Sequence, residues 1–320
     1  MSSFNGETEA KEVVSALSEH VSNKTFLITG ASANSLGAET AISLAAANPR
    51  GFIFVGRSQE RLNPVIDKIK SINTRIKVTF ISGDMCDNSS LRRAAAAINA
   101  FPGTIDSVIF SAGIMAVRDF TQSKDGIESQ LAANAIGHFL LFNLIAGKLT
   151  KESTFVAVSS QGYELCGVDF EDYNFEEGKT YNPWLAYGRA TSAKILLAYA
   201  ISKKPGVASF AVHPGYVPES GLQVKNGVDA ELLMAGFKLD EEINGAQLRY
   251  ENPVRTLQQG AATIILAAID PSWRSKSPAY LAECKTRAAL DRVTSDENAL
   301  KFWELGEKLV GQKFPLQGYI

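Results

Sequence analysis

The stretch Lys24-Thr25-Phe26-Leu27-Ile28-Thr29-Gly30-Ala31-Ser32-Ala33-Asn34-Ser35-Leu36-Gly37-Ala38-Glu39-Thr40 reads as a buried strand, a small-residue turn and a helix start. Lys24 to Ile28 is a short run of strand formers, Gly30 breaks it, and Ala38 to Ala47 has helix composition. A turn without bulky side chains lets the backbone approach a phosphate. The helix N-terminus behind it supplies unpaired N–H groups and a favourable dipole. The arrangement suits the pyrophosphate of a dinucleotide. The spacing is Thr-Gly-x-x-x-x-Ser-x-Gly, with Ser35 where the common Gly-x-Gly-x-x-Gly pattern has a glycine. Such a turn is weak on its own, and a ligand-free strand–turn–helix is the plain alternative.

Further along, Phe52-Ile53-Phe54-Val55-Gly56-Arg57-Ser58 ends a second apolar run. The ribose of a bound adenine nucleotide would lie at this strand end, where an NAD-selective site usually places a carboxylate. Here Gly56 leaves the space open and Arg57 supplies a positive fork suited to phosphate, which predicts NADPH over NADH. Asp84 and Met85 follow a third strand, and Asp84 could accept a hydrogen bond from the adenine amino group. Ser111-Ala112-Gly113 follows a fourth, a small-residue turn that keeps the nicotinamide side free of bulk; both could equally be plain strand-end turns. Ser159 and Ser160 end a fifth, at the edge where parallel sheets hold ligands. Tyr187, Thr191 and Lys194 stand in the helical stretch after it.

The elements that position these residues are short apolar strands alternating with helices. Strands are expected over 25–29, 52–55, 78–81, 108–110, 154–158, 207–212 and 279–281. Helices are expected over 38–47, 59–70, 89–100, 125–149, 183–203 and 257–269. Near-continuous apolar strands in this order predict an α/β fold: a doubly wound, mainly parallel seven-stranded sheet, helices on both faces, Rossmann-like. No linker or internal repeat divides the chain, so 1–320 reads as one domain. It carries an N-terminal helix within 1–23, an insertion at 221–252 that is either a substrate loop or surface decoration, and C-terminal helices within 286–312.

The totals fit an ordinary globular protein: 320 residues, 45% hydrophobic, 21% charged and a formal net charge of -2. That balance gives no reason to propose nucleic acid or an anionic membrane as partner. Cys86, Cys166 and Cys284 lie far apart, and with His20, His138 and His213 they form no metal-ligand pattern; a reducing, cytoplasmic setting is the default. The most apolar helical run, 131–147, is interrupted by Asn134, His138 and Asn143 and is short for a membrane span, so it reads as a buried helix.

Taken together and in this order, these segments resemble the short-chain dehydrogenase/reductase superfamily over nearly the whole chain, most closely its fungal and retinol-dehydrogenase-like members. Asn134-Ala135-Ile136-Gly137-His138-Phe139 is similar to their long-helix motif, and Tyr181-Asn182-Pro183-Trp184-Leu185-Ala186-Tyr187-Gly188 to their active-site approach. His213-Pro214-Gly215-Tyr216-Val217 and the run from Thr256 to Ala262 are similarly placed. The resemblance implies that Tyr187 passes a proton to or from a substrate oxygen while hydride moves to or from NADPH/NADP+. It implies that Ser160 holds that oxygen and that Asn134 supports a proton relay through a helix distortion. It assigns the cofactor to Gly30, Ser32, Ser35, Leu36, Gly37, Arg57, Asp84, Met85, Ala112, Gly113, Thr191, Lys194, Pro214, Gly215 and Val217, with no metal. It also implies a carbonyl or alcohol substrate, a place in secondary metabolism, and a homodimer or homotetramer formed through the helices at 125–149 and 183–203.

One departure matters most. The family pattern is Tyr-x-x-x-Lys, and Thr191 stands at the lysine position. Thr191 can hydrogen-bond a ribose hydroxyl but carries no charge. Lys194, seven positions after Tyr187, returns to about the same helix face roughly 10 Å along the axis. It could reach part way back, although a solvated or structural lysine is the plainer reading. Two functions follow: reduction of a lipophilic carbonyl, or reverse alcohol oxidation; or a non-redox catalyst or binding protein on the same scaffold.

Overall fold

The computed structural model describes residues 4–204, 206–245 and 253–316. Its centre is one sheet in the order β3-β2-β1-β4-β5-β6-β7-β8. The strands are β1 Thr25–Thr29, β2 Gly51–Gly56, β3 Lys77–Ser82, β4 Ser107–Phe110, β5 Thr154–Val158, β6 Ala208–His213, β7 Ala279–Ala282 and β8 Lys285–Arg287. All neighbours pair in parallel except β7 and β8. β1 pairs β2 on one side and β4 on the other, so the chain reverses its winding there and opens a crevice at the strand carboxyl ends.

The expected seven strands are therefore eight. β8 was missed because its residues, Lys-Thr-Arg, are exposed and polar, and because the hairpin turn before it carries no glycine or asparagine signal. Glu283 and Cys284 both take positive φ, 54° and 58°, the backbone of a tight hairpin turn usually read from Asn-Gly.

The helices are α1 Ala10–Ala16, α2 Leu36–Ala45, α3 Asn63–Ile72, α4 Asn88–Ala100, α5 Ser129–Leu131, α6 Gly137–Ile145, α7 Pro183–Ile201, α8 Leu222–Lys225, α9 Ala230–Asn244, α10 Leu257–Ile269, α11 Asp291–Thr294 and α12 Asp296–Val310. Their starts follow capping chemistry. Ser35 Oγ accepts from Ala38 N–H at α2, and Asn182 Oδ1 accepts from Trp184 and Leu185 N–H at α7, with Pro183 in the first helical position. Thr256 and Gln259 close a capping box at α10. The helix expected over 125–149 begins instead at α5, where the Glu128 carboxylate caps Gln130 and Leu131 N–H. A π-helical turn, Ala132–Ile136, joins α5 to α6. The insertion at 221–252 holds α8 and α9; its residues 246–252 lie outside the described residues, as do residues 1–3 of the N-terminal segment.

Two apolar cores flank the sheet. One gathers β-strand residues with Leu91, Ile98, Phe139, Leu140, Leu196 and Phe302; the other sets Val13, Leu44, Ile69, Ile264 and Ile265 against the opposite face. The helical stretch Ser129–Lys148 is long and apolar enough to cross a membrane, but 89% of its apolar window is buried inside the domain. The C-terminal helix packs on the same layer of helices. α12 lies across α7 and α6, with Phe139 edge-on to Trp303 at 4.9 Å and to Phe302 at 6.3 Å, and Lys203 paired with Asp296 at 2.5 Å. The chain's own C-terminal helix thus packs on part of 125–149 and 183–203.

Candidate active site

At the carboxyl ends of β4, β5 and β6 lies a cavity of about 530 Å³. Tyr187, Ser160, Asn134, Thr191 and Lys194 all line it, together with Pro214, Gly215 and Val217. A second cavity of about 250 Å³ adjoins it over the β1–α2 turn, lined by Gly30, Ser32, Arg57, Asp84, Met85 and Ala112 among others. Ser35, Ser111, Gly113 and Ser220 line both. Of the residues singled out in the sequence, Gly37 alone lines neither. A Cβ there would lie 2.8 Å from Gly30 O, so Gly37 lets α2 seat on the turn.

The turn suits a dinucleotide phosphate. Gly30 sits at φ +74°, and a Cβ on it would come within 2.6 Å of the Ala112 backbone. Ser35 is no obstacle: it caps α2 and donates to Gly30 O at 2.8 Å, fastening the turn to the helix. The N–H groups of Leu36 and Gly37, in the first turn of α2, have no intrahelical acceptor and remain for a ligand. At Gly56 an added Cβ would meet only Phe80 Cε2, at 4.0 Å, so the space beside exposed Arg57 is open. Asp84 already accepts from Cys86 N–H at 3.0 Å through Oδ1.

At the reacting end, Tyr187 is buried at 8% exposure, and burial pushes its phenol above the usual value, with the hydrogen bond to Ser160 working against it. Ser160 Oγ also accepts from Gly162 N–H at 3.1 Å. Gly162 is required there, since a Cβ would lie 2.9 Å from two Tyr187 ring carbons. Trp184 stands edge-on to Tyr187, donates Nε1–H to Leu232 O at 2.7 Å, and fits against Gly236 of α9. Leu222, Leu233 and Phe237 complete an apolar wall.

Asn134 sits inside the π-turn. Its side chain accepts from Ile114 N–H at 2.8 Å and donates to Ile114 O at 2.9 Å, pinning the loop after β4. Its backbone carbonyl accepts from His138 Nδ1 at 2.8 Å. Since a carbonyl only accepts, Nδ1 carries the proton and Nε2 accepts from Thr29 Oγ1, 3.0 Å away. Thr29 in turn accepts from Ala112 N–H at 3.0 Å. His138 is fully buried against Phe110, and burial, followed by the charge of Lys194, pushes its pKa well below the usual value, so this chain of bonds is neutral.

Thr191 turns its hydroxyl back onto its own helix, donating to Tyr187 O at 2.9 Å with Gly188 O at 3.1 Å. Lys194 does the opposite of what a solvated lysine would do. It is 4% exposed, and Nζ donates to Ala112 O at 2.8 Å and Val158 O at 2.9 Å, bridging the ends of β4 and β5. A point one Cβ above Gly113 is 3.6 Å from Lys194 Nζ and 2.9 Å from Asn134 Oδ1, so the two groups converge over the crevice. Burial lowers the Lys194 pKa to about 7. Sequence reasoning did not select Thr29 or His138, which act only through this packing; the one available signal was the i, i+4 spacing of Asn134 and His138.

This chain belongs to the short-chain dehydrogenase family. Residues 24–169 match the family described as short chain dehydrogenase. The chain is 30% identical over 243 residues to "Oxidoreductase fscI" of Fusarium equiseti, covering 66% of this chain and 94% of that one. It is 28% identical over 294 residues to "Retinol dehydrogenase 12" of Bos taurus, covering 90% and 86%. Among solved structures, an uncharacterized protein from Mycobacterium Paratuberculosis superimposes with a TM-score of 0.67 at 26% identity, covering 92% of this chain and 96% of that one. The protein is an oxidoreductase of this type, and the family implies an NAD(P)-type nucleotide cofactor and a small-molecule substrate.

Proposed function

We propose that this chain reduces a carbonyl on a lipophilic, mid-sized small molecule with NADPH, and oxidises the corresponding alcohol in reverse. The observation that carries the reading is Tyr187 hydrogen-bonded to Ser160 in a cavity with an apolar wall that adjoins the phosphate turn. When bound, the nucleotide supplies or accepts the hydride. Tyr187, held protonated at neutral pH by burial, gives its proton to the substrate oxygen, and Ser160 holds that oxygen. With Thr191 facing its own helix, Lys194, buried one turn further along and lining the same cavity as Tyr187, stands in for the family's lysine. Arg57 is the phosphate fork that selects NADPH.

The test is Tyr187→Phe. Hydride transfer should fall at least ~10²-fold, the scale of a lost general acid, while the NADPH dissociation constant stays within about twofold. A Phe variant that turns over normally overturns the assignment. Titration of the wild-type protein with NADPH and NADH checks the cofactor preference directly.

One observation favours a second reading, non-redox catalysis or ligand binding: the position the family gives to lysine holds a threonine whose proton is used within the helix. Thr191→Lys separates the two. A large gain in NADPH-linked reduction supports a tuned-down reductase; no gain with any carbonyl supports the alternative.

A further inference from the structure

A residue outside every motif above reaches into the nucleotide cavity. Lys225 ends α8, and its Nζ contacts Ser32 Oγ and Ala33 O of the β1–α2 turn, each at 3.2 Å. The backbone of this segment is pressed against the same turn: a Cβ on Gly221 would lie 3.5 Å from Asn34 O and 3.4 Å from Lys225 Cε. Arg57, Arg61 and Lys225 all line the cavity of about 250 Å³, and Asp84 is the one carboxylate among its described lining residues. Burial, then the charge of Arg61, lowers the Lys225 pKa, so the cations are close enough to repel. Three cations facing one occupied carboxylate make a basin that an anion would relieve. The segment that delivers Lys225 also delivers Leu222, Gln223, Leu233 and Phe237 to the wall of the larger cavity.

We propose that Lys225 is a ligand for a phosphate group of the nucleotide, completing a basic cluster with Arg57 and Arg61 and tying one wall of the substrate cavity to the bound cofactor. This rests on the nucleotide reading above. The adenosine 2′-phosphate and the pyrophosphate offer the same chemistry, and the test separates them.

The experiment is calorimetric titration of wild-type protein, Lys225→Gln, Lys225→Arg and Arg57→Gln with NADPH, NADH and 2′,5′-ADP. Lys225→Gln should weaken NADPH by about fivefold to twentyfold, the scale of one charge-assisted hydrogen bond at a partly exposed site, and Lys225→Arg should restore most of it. Loss confined to NADPH and 2′,5′-ADP places Lys225 on the 2′-phosphate; loss shared with NADH places it on the pyrophosphate. Amide exchange across 222–244 should slow on nucleotide binding in the wild type and not in Lys225→Gln. If wild-type protein binds NADPH, Arg57→Gln weakens it, and Lys225→Gln stays within twofold, the proposal is overturned and the cofactor reading stands. If the wild type binds no nucleotide, both fall.

Discussion

Replacing Lys194 with methionine tests whether a charge sits at the strand ends. The folded-state pKa is about 7 against an ordinary 10.5, with burial as the cause. Between those values the folded protein binds fewer protons at this site than the unfolded chain. Stability therefore rises with pH across the window and is lost as pH falls towards 7, below which it is flat. Each pH unit is worth about 1.4 kcal/mol, so from pH 7.5 to 9.5 Lys194 contributes a change of about 3 kcal/mol. The groups beside it do not blur this: His138 stays neutral, Tyr187 is held above its usual range, and both are common to wild type and variant. The assay is urea unfolding of wild type and Lys194→Met at half-unit pH steps. The wild-type-minus-variant difference should climb by about 3 kcal/mol. A difference constant across pH would mean that the Ala112 and Val158 carbonyls compensate the buried ammonium fully, and the argument from desolvation would fail.

Three further outcomes follow from the same geometry. Thr191→Val keeps the shape and removes a hydroxyl bonded to helix carbonyls, so NADPH affinity measured by titration should change less than twofold; a loss above about fivefold, about 1 kcal/mol, would put Thr191 on the nucleotide. Gly162→Ala should displace the Tyr187 ring, lowering kcat and costing about 1–3 kcal/mol in unfolding measurements, with NADPH binding retained. Trp303→Ala should cost about 3–5 kcal/mol, because its ring packs on Phe139 and its Nε1 donates to Phe314 O at 2.9 Å.

Much of this was legible in the chain itself. The parallel strands were readable because both faces are buried, leaving unbroken apolar runs such as Phe26-Leu27-Ile28 and Phe155-Val156-Ala157. Tyr187, Ser160 and the Gly30 turn were legible because their spacing follows from a strand end, a helix start and a crossover. Lys194 was placed on the right face, but its burial was not readable: helical periodicity gives direction and says nothing of which carbonyls wait at the end of a side chain. Lys225 gave no signal, since its partners Ser32 and Ala33 lie nearly two hundred positions away.

Asn134, Tyr187 and Lys194 all ride on helical segments braced from outside by α12, whose Trp303 is 2% exposed. In an enzyme braced by a partner, dilution is what loosens the site. Here α12 supplies bracing from within the same chain, so a single cut between α7 and α12 should loosen the site at any protein concentration.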